Sequence, residues 1–453
     1  MTNGLHAAEE KMRAAGQHEE AIRAFRAAYE RLAAGESGLL ASDELEPAAD
    51  VLELEQLPAA DPADALARVA LVKLNGGLAT TMGLRQPKSL VEAREGHTFL
   101  DIIAGQARVL RERFGVRLPL MLMNSEATDS QTREALAEHP ELDAASFLQS
   151  MEPKLEAEQL GPVSWPADPA LEWCPPGHGD VYGALRRSGA LTTLLEQGFE
   201  FAMLSNSDNL GATVDPRIAR LLADKQIPFL MEVVVGTVSE RKGGHIARRR
   251  VDGQLVLRET AQTPPGDEES FRDYDHWRYY NTNNLWVDLR VLAEELERRH
   301  GVLELPLIVN RKTVDPRDPG SPPVLQLESA MGAAIASFPG ARVLCVPRTR
   351  FAPVKTTDDL LVLRSDVYTL SPELTVSPQR PDGPPFVELE PRYYKLLDEF
   401  EARFPAGAPS LRGADRFVVR GDVTFGSGVV VRGEVELSPE EPERIPAGAV
   451  LSG

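Results

Sequence analysis

Residues 69–83 read Val-Ala-Leu-Val-Lys-Leu-Asn-Gly-Gly-Leu-Ala-Thr-Thr-Met-Gly, an apolar run that leads straight into a glycine-rich turn. The run at 69–74 is short and aliphatic and predicts a buried strand. The adjacent Gly76 and Gly77 let the backbone approach a ligand closely, and successive N–H groups can surround phosphate oxygens. A Gly-Gly pair is more often only a turn, so the phosphate interpretation depends on the residues around it.

Short apolar runs alternate with helical stretches beyond this turn. The pattern predicts strands at 69–74, 118–123, 199–204 and 229–235 and helices near 99–114, 130–137 and 216–225. Strand, helix, strand at this spacing is typical of a doubly wound, mostly parallel α/β sheet with helices on both faces. Such sheets bind ligands at the carboxyl ends of their strands. Polar residues follow three of the runs, in Asn75-Gly-Gly77, Asn124-Ser125 and Ser205-Asn-Ser-Asp208, so we expect the site there.

The regions on either side of this pattern differ in composition. Residues 5–34 carry apolar side chains at helical spacing and predict an amphipathic helix or helix pair, and the acidic, proline-containing stretch 44–63 predicts a linker. Glycines recur every five or six residues after Arg416, which is typical of a small β-solenoid, with an antiparallel meander as the alternative. The expected domains are an N-terminal helical extension and linker (1–64), a central α/β domain (65–395) and a C-terminal helix and β-solenoid domain (396–453).

Charge and composition argue against several classes of protein. The 453 residues carry 49 basic and 69 acidic side chains, a net charge of −20, which argues against a nucleic-acid partner. The apolar runs are far shorter than the roughly 20 residues of a membrane-spanning helix, so we expect no membrane partner. No export signal opens the chain, and the two cysteines, Cys174 and Cys345, are too few for a disulfide scaffold. We therefore expect a cytoplasmic protein with reduced thiols.

Residues close to the glycine-rich turn favour phosphate binding. Lys88 directly follows a proline in Gln86-Pro-Lys-Ser89, where its ammonium can supply a point charge. Neither a Walker loop nor a correctly placed Gly-x-Gly-x-x-Gly is present, which weakens kinase, ATPase and dehydrogenase interpretations. Asp208 ends an apolar strand between asparagines and is the best candidate for a Mg²⁺ ligand. An Asx turn or a helix N-cap is an equal alternative for this aspartate.

Two further segments are candidates for binding anions or sugars. His178 lies between glycines in the proline-stiffened segment Pro175-Pro-Gly-His-Gly-Asp180, which favours a hydrogen-bond donor to an anion over a general base. The segment Asn281-Thr-Asn-Asn284 offers several amides suited to sugar hydroxyls. A run of asparagines is equally consistent with a turn.

Two more lysines are candidates for contacts with phosphate. Lys355 follows Phe351-Ala-Pro-Val354, and its alternative role is an ion pair with Asp358 or Asp359. Lys242, in a Lys-Gly-Gly sequence, is a weaker candidate whose role the sequence leaves open.

From about residue 65 onward the chain resembles the UTP-glucose-1-phosphate uridylyltransferases, or UDP-glucose pyrophosphorylases, of the eukaryotic type. The resemblance rests on segments that occur in the family's order: 74–83 with Lys88, 173–180, 205–215, 281–286 and 350–356. One residue departs from the family's pattern, because Ala79 stands where a third glycine is usual. A methyl group is tolerated there if the position opens a helix, and would weaken nucleotide binding if the nucleotide touches it.

The resemblance implies an enzyme that transfers the uridylyl group of UTP to glucose 1-phosphate with Mg²⁺, giving UDP-glucose and pyrophosphate. The sugar phosphate attacks the α-phosphorus in line, so cations and backbone N–H groups are the expected tools. No protein nucleophile is needed, in agreement with the absence of a Ser-His-Asp or Cys-His signature. The alternatives are a UDP-N-acetylhexosamine or broad-specificity UDP-sugar pyrophosphorylase and, from another class, a catalytically silent nucleotide-sugar-binding regulator.

The resemblance also implies roles for individual residues and makes 65–395 the catalytic domain. The expected catalytic residues are Lys88, Asp208 and Lys355, with Asp208 as the metal ligand. The expected nucleotide-binding residues are Leu74, Asn75, Gly76, Gly77, Lys88, Gln149, Gly177, Asp208 and Lys355. The expected substrate-binding residues are Gly76, Gly77, His178, Asn206, Ser207 and Asn283. We expect Gln149 on uracil, Asn283 on the hexose, and a monomer or weak homo-oligomer formed through the C-terminal domain.

Overall fold

The computed structural model describes residues 3–237, 240, 243–381 and 383–453. The α-helices among them are α1 (Asn3–Ala14), α2 (Glu19–Ala33), α3 (Pro62–Leu66), α4 (Phe99–Phe114), α5 (Glu126–Leu136), α6 (Val181–Arg187), α7 (Ala190–Glu196), α8 (Pro216–Lys225), α9 (Glu268–Phe271), α10 (Tyr274–Trp277), α11 (Leu289–Arg298), α12 (Thr357–Arg364), α13 (Pro391–Tyr394) and α14 (Leu397–Arg403). The strands are β1 (Leu45–Pro47), β2 (Leu52–Glu53), β3 (Val69–Asn75), β4 (Glu92–Arg94), β5 (His97–Thr98), β6 (Leu120–Asn124), β7 (Ala144–Leu148), β8 (Glu152–Pro153), β9 (Leu155–Glu156), β10 (Trp173–Cys174), β11 (Phe201–Asn206), β12 (Phe229–Val235), β13 (His245–Arg249), β14 (Leu255–Arg258), β15 (Tyr279–Asp288), β16 (Ile308–Thr313), β17 (Pro323–Glu328), β18 (Arg342–Cys345), β19 (Tyr368–Leu370), β20 (Val376–Pro378), β21 (Phe386–Leu389), β22 (Ser410–Val419), β23 (Val423–Phe425), β24 (Val430–Leu437), β25 (Glu443–Ile445) and β26 (Val450–Ser452). No helix in these ranges is long and apolar enough to cross a membrane.

The central sheet has the strand order β2-β18-β12-β15-β11-β3-β6-β7. Neighbours in this order run parallel, except that β15 is antiparallel to both β11 and β12. The expected mostly parallel α/β sheet is therefore confirmed, and α8 and β12 have the bounds expected from the sequence. The helix expected near 130–137 begins earlier, at Glu126, because Ser125 is its N-cap residue.

The central sheet is buried on both faces, because alternate side chains of a strand point to opposite sides. Along β3, Val69 and Leu71 belong to one buried apolar cluster, whereas Ala70 and Val72 belong to another. Helices α4, α8 and α12 contribute to the first cluster, and α6, α7 and α11 contribute to the second. Helices therefore cover both faces, as the alternating sequence pattern predicts.

The N-terminal residues form the helix pair α1 and α2, which is separated at Gly16, a residue with a left-handed φ of 73°. Phe25 and Tyr29 pack with leucines of β17 in one apolar cluster, so the pair docks on the main body. Residues 44–63, expected to be a linker, instead contribute β1 and β2 to the central sheet. These strands have only three and two residues, too few to show an alternating pattern in the sequence.

The C-terminal residues form two small parallel sheets. Strands β21, β22, β24 and β26 form one sheet, and β23 and β25 form the other. All of these neighbours pair in parallel, so the alternative of an antiparallel meander is wrong for these strands. Phe417 and Phe425 share a buried apolar cluster with Phe400 of α14 and with residues of β3. The C-terminal strands therefore pack on the main body.

Candidate active site

The glycine-rich turn follows β3 at the edge where β3, β6 and β11 end. A Cβ atom at Gly76 would lie 2.8 Å from Gln149 Nε2, so this amide would have to move if residue 76 were not glycine. Gly76 O accepts a hydrogen bond of 2.9 Å from Ser125 Oγ. The Cβ position of Gly77 has no atom within 4 Å. The fold therefore brings Gln149 against Gly76 and leaves room for a ligand beside Gly77.

Leu74, Asn75 and Ser207 are buried beneath this turn. Asn75 Nδ2 donates to Asn124 Oδ1 at 2.8 Å and to Thr132 Oγ1 at 2.9 Å, which ties β3 to β6 and α5. Ser207 N donates to Leu74 O at 3.1 Å. The Asn75 side chain thus supports the turn from below, and the backbone of Ser207 is tied to that of Leu74.

Ala79 opens a short 3-10 helix, Thr80–Met82. Its φ of −78° is ordinary for alanine, and its side chain is fully buried in an apolar cluster. Its N–H donates to Gln86 O at 3.1 Å. The methyl group is therefore accommodated by packing within the protein, as expected for a position that opens a helix.

Lys88 and Asp208, 120 positions apart in the chain, form an ion pair. Lys88 Nζ donates to Asp208 Oδ2 at 2.6 Å, and both side chains are largely buried. The second carboxylate oxygen, Oδ1, is buried and accepts no hydrogen bond. Lys88 N donates to Gly77 O at 3.1 Å, which holds the lysine beside the glycine-rich turn. The fold thus brings the lysine expected to bind phosphate into contact with the aspartate expected to bind a metal ion.

Asp208 lies in a segment, residues 205–212, that begins with the last two residues of β11 and continues into a loop; we call this segment the Asp208 loop. Val354 N donates to Asp208 O at 3.2 Å. Asn209 Nδ2 donates to Asn284 Oδ1 at 3.1 Å. The first of these bonds places residue 354, next to Lys355, against the loop, so the loop connects two of the expected catalytic residues.

Glu232 and Arg350 lie below this loop, and the sequence analysis missed both. Hydrogen bonds of 2.8 and 2.7 Å join the Arg350 guanidinium to the fully buried Glu232 carboxylate. Asn284 Nδ2 and Trp286 Nε1 also donate to this carboxylate. A charged residue within an apolar strand is the signal in the sequence, because a carboxylate is rarely buried without partners.

His178 lies in a loop whose backbone requires glycine. Gly177 has a φ of 79°, and a Cβ atom there would lie 2.5 Å from Ser329 O. Burial, and then the charge of Lys355, lower the pKa of His178 to about 4, so the ring is neutral at neutral pH. His178 Nδ1 accepts a hydrogen bond of 2.9 Å from Met331 N, which leaves the proton on Nε2. This arrangement suits a hydrogen-bond donor to an anion better than a general base.

A cavity of about 490 Å³ opens beside the Asp208 loop. Three expected residues, Asn206, Asn283 and Lys355, contribute to its wall. Asn283 has a left-handed φ of 56°, and its Oδ1 accepts a hydrogen bond of 2.8 Å from Asn281 Nδ2. The asparagine run lies within β15 and lines the cavity, so the alternative of a turn is wrong, although Asn283 makes a local irregularity in the strand.

Lys355 places an exposed ammonium at this cavity. Its backbone N–H donates to Asp359 Oδ2 at 2.7 Å, whereas its ammonium makes no ion pair with a carboxylate in the part of the chain that the structure describes. Burial raises the pKa of Glu259, a cavity residue that the sequence analysis missed, and the charge of Lys355 opposes this shift. The charge of Lys355 therefore influences the pKa of both Glu259 and His178. Lys242 lies outside the described residues.

Asp208 is the acidic residue of the site whose free oxygen suits a metal ion. Within the described ranges, no group of three or more His, Cys, Asp or Glu side chains could hold a metal ion. Asp208 Oδ1 is a buried carboxylate oxygen without a protein partner. Mg²⁺ is usually bound by one or two carboxylates and completes its coordination with water and substrate phosphates. The residues present therefore fit a divalent metal ion that binds together with a phosphate ligand.

The two cysteines are unsuited to nucleophilic catalysis. Both are buried and unpaired. Burial raises the pKa of Cys345 to about 12 and that of Cys174 well above its usual value. Since the thiolate is the nucleophile, neither residue supports a covalent intermediate. Lys88, Lys355, the asparagines and the free oxygen of Asp208 are instead groups that suit a reaction between phosphate groups.

Comparisons with known proteins agree with this chemistry. The family model described as UTP–glucose-1-phosphate uridylyltransferase matches residues 22–432. The chain is 39% identical over 395 residues to a probable UTP–glucose-1-phosphate uridylyltransferase of Schizosaccharomyces pombe, covering 86% of this chain and 77% of the relative. It is 40% identical over 393 residues to the enzyme of Hordeum vulgare, covering 85% and 81%.

A solved structure shares the whole fold. A crystal structure of a UDP-glucose pyrophosphorylase variant from Leishmania major, in complex with UDP-glucose, matches with a TM-score of 0.95 and 41% identity. The match covers 100% of this chain and 98% of that chain. The chain therefore belongs to the UTP–glucose-1-phosphate uridylyltransferase family.

Proposed function

We propose that this enzyme transfers the uridylyl group of UTP to glucose 1-phosphate in the cleft between the glycine-rich turn, the Asp208 loop and Lys355. In the family's reaction an oxygen of the sugar phosphate forms a bond to the α-phosphorus of UTP. The bond from that phosphorus to the oxygen bridging to the β-phosphorus breaks, and pyrophosphate leaves with the electron pair. The products are UDP-glucose and pyrophosphate.

The observation that carries this assignment is the Lys88–Asp208 pair with its free oxygen. A cation and an acceptor without a protein partner lie together at the carboxyl end of a parallel strand, where such sheets bind ligands. Lys88 and Lys355 would neutralise charge on the phosphates as the bond to the leaving group lengthens. Asp208 would hold a Mg²⁺ ion, which supplies further positive charge to the phosphate oxygens.

The nucleotide would lie on the glycine-rich turn, with its base towards Gln149. The backbone from Leu74 to Gly77 would face the nucleotide, because the Leu74 and Asn75 side chains are engaged below the turn. Gln149 would bind uracil through its amide, which lies against Gly76. Gly177 would meet the nucleotide through its backbone, since the space for a side chain there is occupied by Ser329.

The sugar phosphate would lie in the cavity beside Asn206 and Asn283, with His178 as a further expected contact. His178 would donate from Nε2 to a phosphate oxygen. Asn283 would bind hexose hydroxyls, with its amide oriented by Asn281. Ser207 would act through its backbone position in the Asp208 loop, since its side chain is buried.

The organisation of the chain supports three further proposals. The parallel pairing of the C-terminal strands supports a β-solenoid within a C-terminal domain at 396–453, beside a catalytic domain at 65–395 and a helical extension at 1–64. The packing of these strands on the main body supports a monomer, or a weak homo-oligomer formed through that domain. The two unpaired cysteines support a cytoplasmic location.

A pyrophosphate-release assay tests the assignment of substrates. UTP and Mg²⁺ are combined in turn with glucose 1-phosphate, galactose 1-phosphate and N-acetylglucosamine 1-phosphate. We expect efficient release only with glucose 1-phosphate. Comparable rates with several sugars would favour a broad-specificity enzyme, a preference for the N-acetylated sugar would favour the hexosamine enzyme, and no turnover with any sugar would favour the silent regulator.

A further inference from the structure

Lys73 is a buried lysine directly before the glycine-rich turn. It lies in β3 and is only 2% exposed. Its backbone is in register with Ser205 of the neighbouring parallel strand β11. A lysine is almost never fully buried unless its ammonium has partners, so the contacts of Nζ indicate what this residue does.

The partners of Lys73 lie at the two ends of the Asp208 loop. Lys73 Nζ donates to Ser205 Oγ at 2.8 Å and to Ala212 O at 2.9 Å. Ser205 is the first residue of the loop, and Ala212 is the last. We propose that Lys73 is a positioning residue that ties both ends of this loop to β3 and thereby fixes Asp208 for catalysis.

Burying the Lys73 ammonium costs desolvation free energy, so its hydrogen bonds should matter for the structure or for catalysis. Burial, and then the charge of Arg350, lower the pKa of Lys73 to about 7, whereas Glu232 and Asp208 favour the charged form. A methionine of similar length would fill the same volume without a desolvation cost. The neutral amine retains two N–H groups, so both hydrogen bonds persist in either protonation state. The two hydrogen bonds of Lys73 therefore do not depend on its protonation state.

The consequence for catalysis rests on the proposed role of Asp208. The Asp208 side chain emerges midway between the two tied ends, and its carboxylate is bound by Lys88 through Oδ2, while Oδ1 has no protein partner. Loss of the tie would let the carboxylate sample positions away from the phosphates. Because misplacement of a reacting or binding group by even 1 Å is costly in rate, turnover should fall more than nucleotide affinity.

The test compares Lys73→Met with a matched substitution elsewhere. Lys154 is a second buried lysine, 4% exposed, whose Nζ donates to Val314 O at 2.9 Å, away from the Asp208 loop. We expect Lys73→Met to speed hydrogen exchange of amides in 206–212 and to lower kcat, each by about tenfold, with little change in the KM for UTP. Lys154→Met should leave both readouts unchanged.

A second variant keeps the test decisive if Lys73→Met fails to fold. Ser205→Ala removes one of the two bonds and should change loop exchange and kcat in the same direction by a smaller factor. If both variants match Lys154→Met while Asp208→Asn is inactive, the positioning role is refuted. If Asp208→Asn is itself fully active, the proposed metal site fails instead, and faster exchange of the loop would still support the structural tie.

Discussion

The cleft and the C-terminal sheets use charged side chains in opposite ways. In the cleft, Asp208 keeps one oxygen without a partner, and the Lys355 ammonium makes no ion pair among the described residues. On the C-terminal sheet, Arg416 and Arg420 both pair with Glu436 at 3.0 Å in exposed positions. The comparison indicates that the cleft keeps polar groups available to a ligand, whereas the charged groups of the C-terminal sheet pair with one another.

The largest expected effect is on stability, from a change within the C-terminal sheets. Phe425 is fully buried and stacks on Phe404 with ring centroids 4.9 Å apart. Phe425→Ala should lower the free energy of unfolding by about 3–5 kcal/mol. The kcat of the folded protein should not change. Denaturant titration and steady-state kinetics measure the two effects, and Glu436→Gln, an exposed change in the neighbouring C-terminal sheet, should alter neither.

The next effect is on catalysis, from a change within the cleft. Asp208→Asn should lower kcat about a hundredfold, which corresponds to about 3 kcal/mol in activation free energy. The midpoint of thermal unfolding should stay close to that of the parent protein. Asp415→Asn, an exposed carboxylate of the C-terminal sheet, serves as the control. Near-parental turnover of Asp208→Asn at saturating Mg²⁺ would remove this residue from the mechanism.

The cleft lysines should act on phosphates rather than on the nucleoside. Lys88→Ala and Lys355→Ala should each lower kcat on the order of tenfold to a hundredfold while leaving the affinity for uridine unchanged. Lys→Arg should rescue only in part, because the guanidinium places its charge differently. Lys395→Ala, at an exposed lysine near the C-terminal strands, provides the comparison. An equal loss of uridine and UTP affinity would indicate a structural role instead.

A smaller effect concerns pH. The folded-state pKa of His178 is lowered to about 4, so the unfolded chain binds a proton on this residue that the folded chain does not bind between pH 6.5 and 4. Stability should therefore fall as the pH falls through this window. His178→Gln should lose less stability than the parent protein between pH 7 and pH 4.5 in thermal unfolding. Identical slopes for both proteins would contradict the low pKa.

The smallest effect is expected at Ala79. Ala79→Gly restores the family's usual residue, removes a buried methyl group and adds backbone freedom. Stability should fall by only about 0.5–1 kcal/mol, and the KM for UTP should not change, because the methyl group packs within the protein. A clear gain in UTP affinity would show that the methyl group touches the nucleotide.

The sequence predicts the parts of the fold that local patterns determine. The bounds of α8 follow from its N-cap residue, Asp215, and from Pro216 at its first turn. The bounds of β12 follow from an apolar run that is long enough to recognise. The short strands β1 and β2 escape such patterns, because their pairing depends on distant edge strands of the sheet.

The sequence also predicts which residue types gather at the site, but not their partners. Lys88 and Asp208 are both identifiable from their motifs, whereas their pairing depends on a contact across 120 positions. The Glu232–Arg350 pair and the bonds of Lys73 are likewise long-range, so only the unusual charge within an apolar strand marks them. Burial that emerges from tertiary packing cannot be read from a single motif.

The central claim is that Asp208 holds the catalytic metal beside the phosphates of UTP. It is tested most directly by a crystal structure with Mn²⁺ in place of Mg²⁺ and a UTP analogue whose α- and β-phosphorus atoms are bridged by carbon. We predict an anomalous Mn²⁺ peak about 2 Å from a carboxylate oxygen of Asp208, next to the analogue's phosphates. A peak bound elsewhere, with Asp208 paired only to Lys88, would contradict the claim.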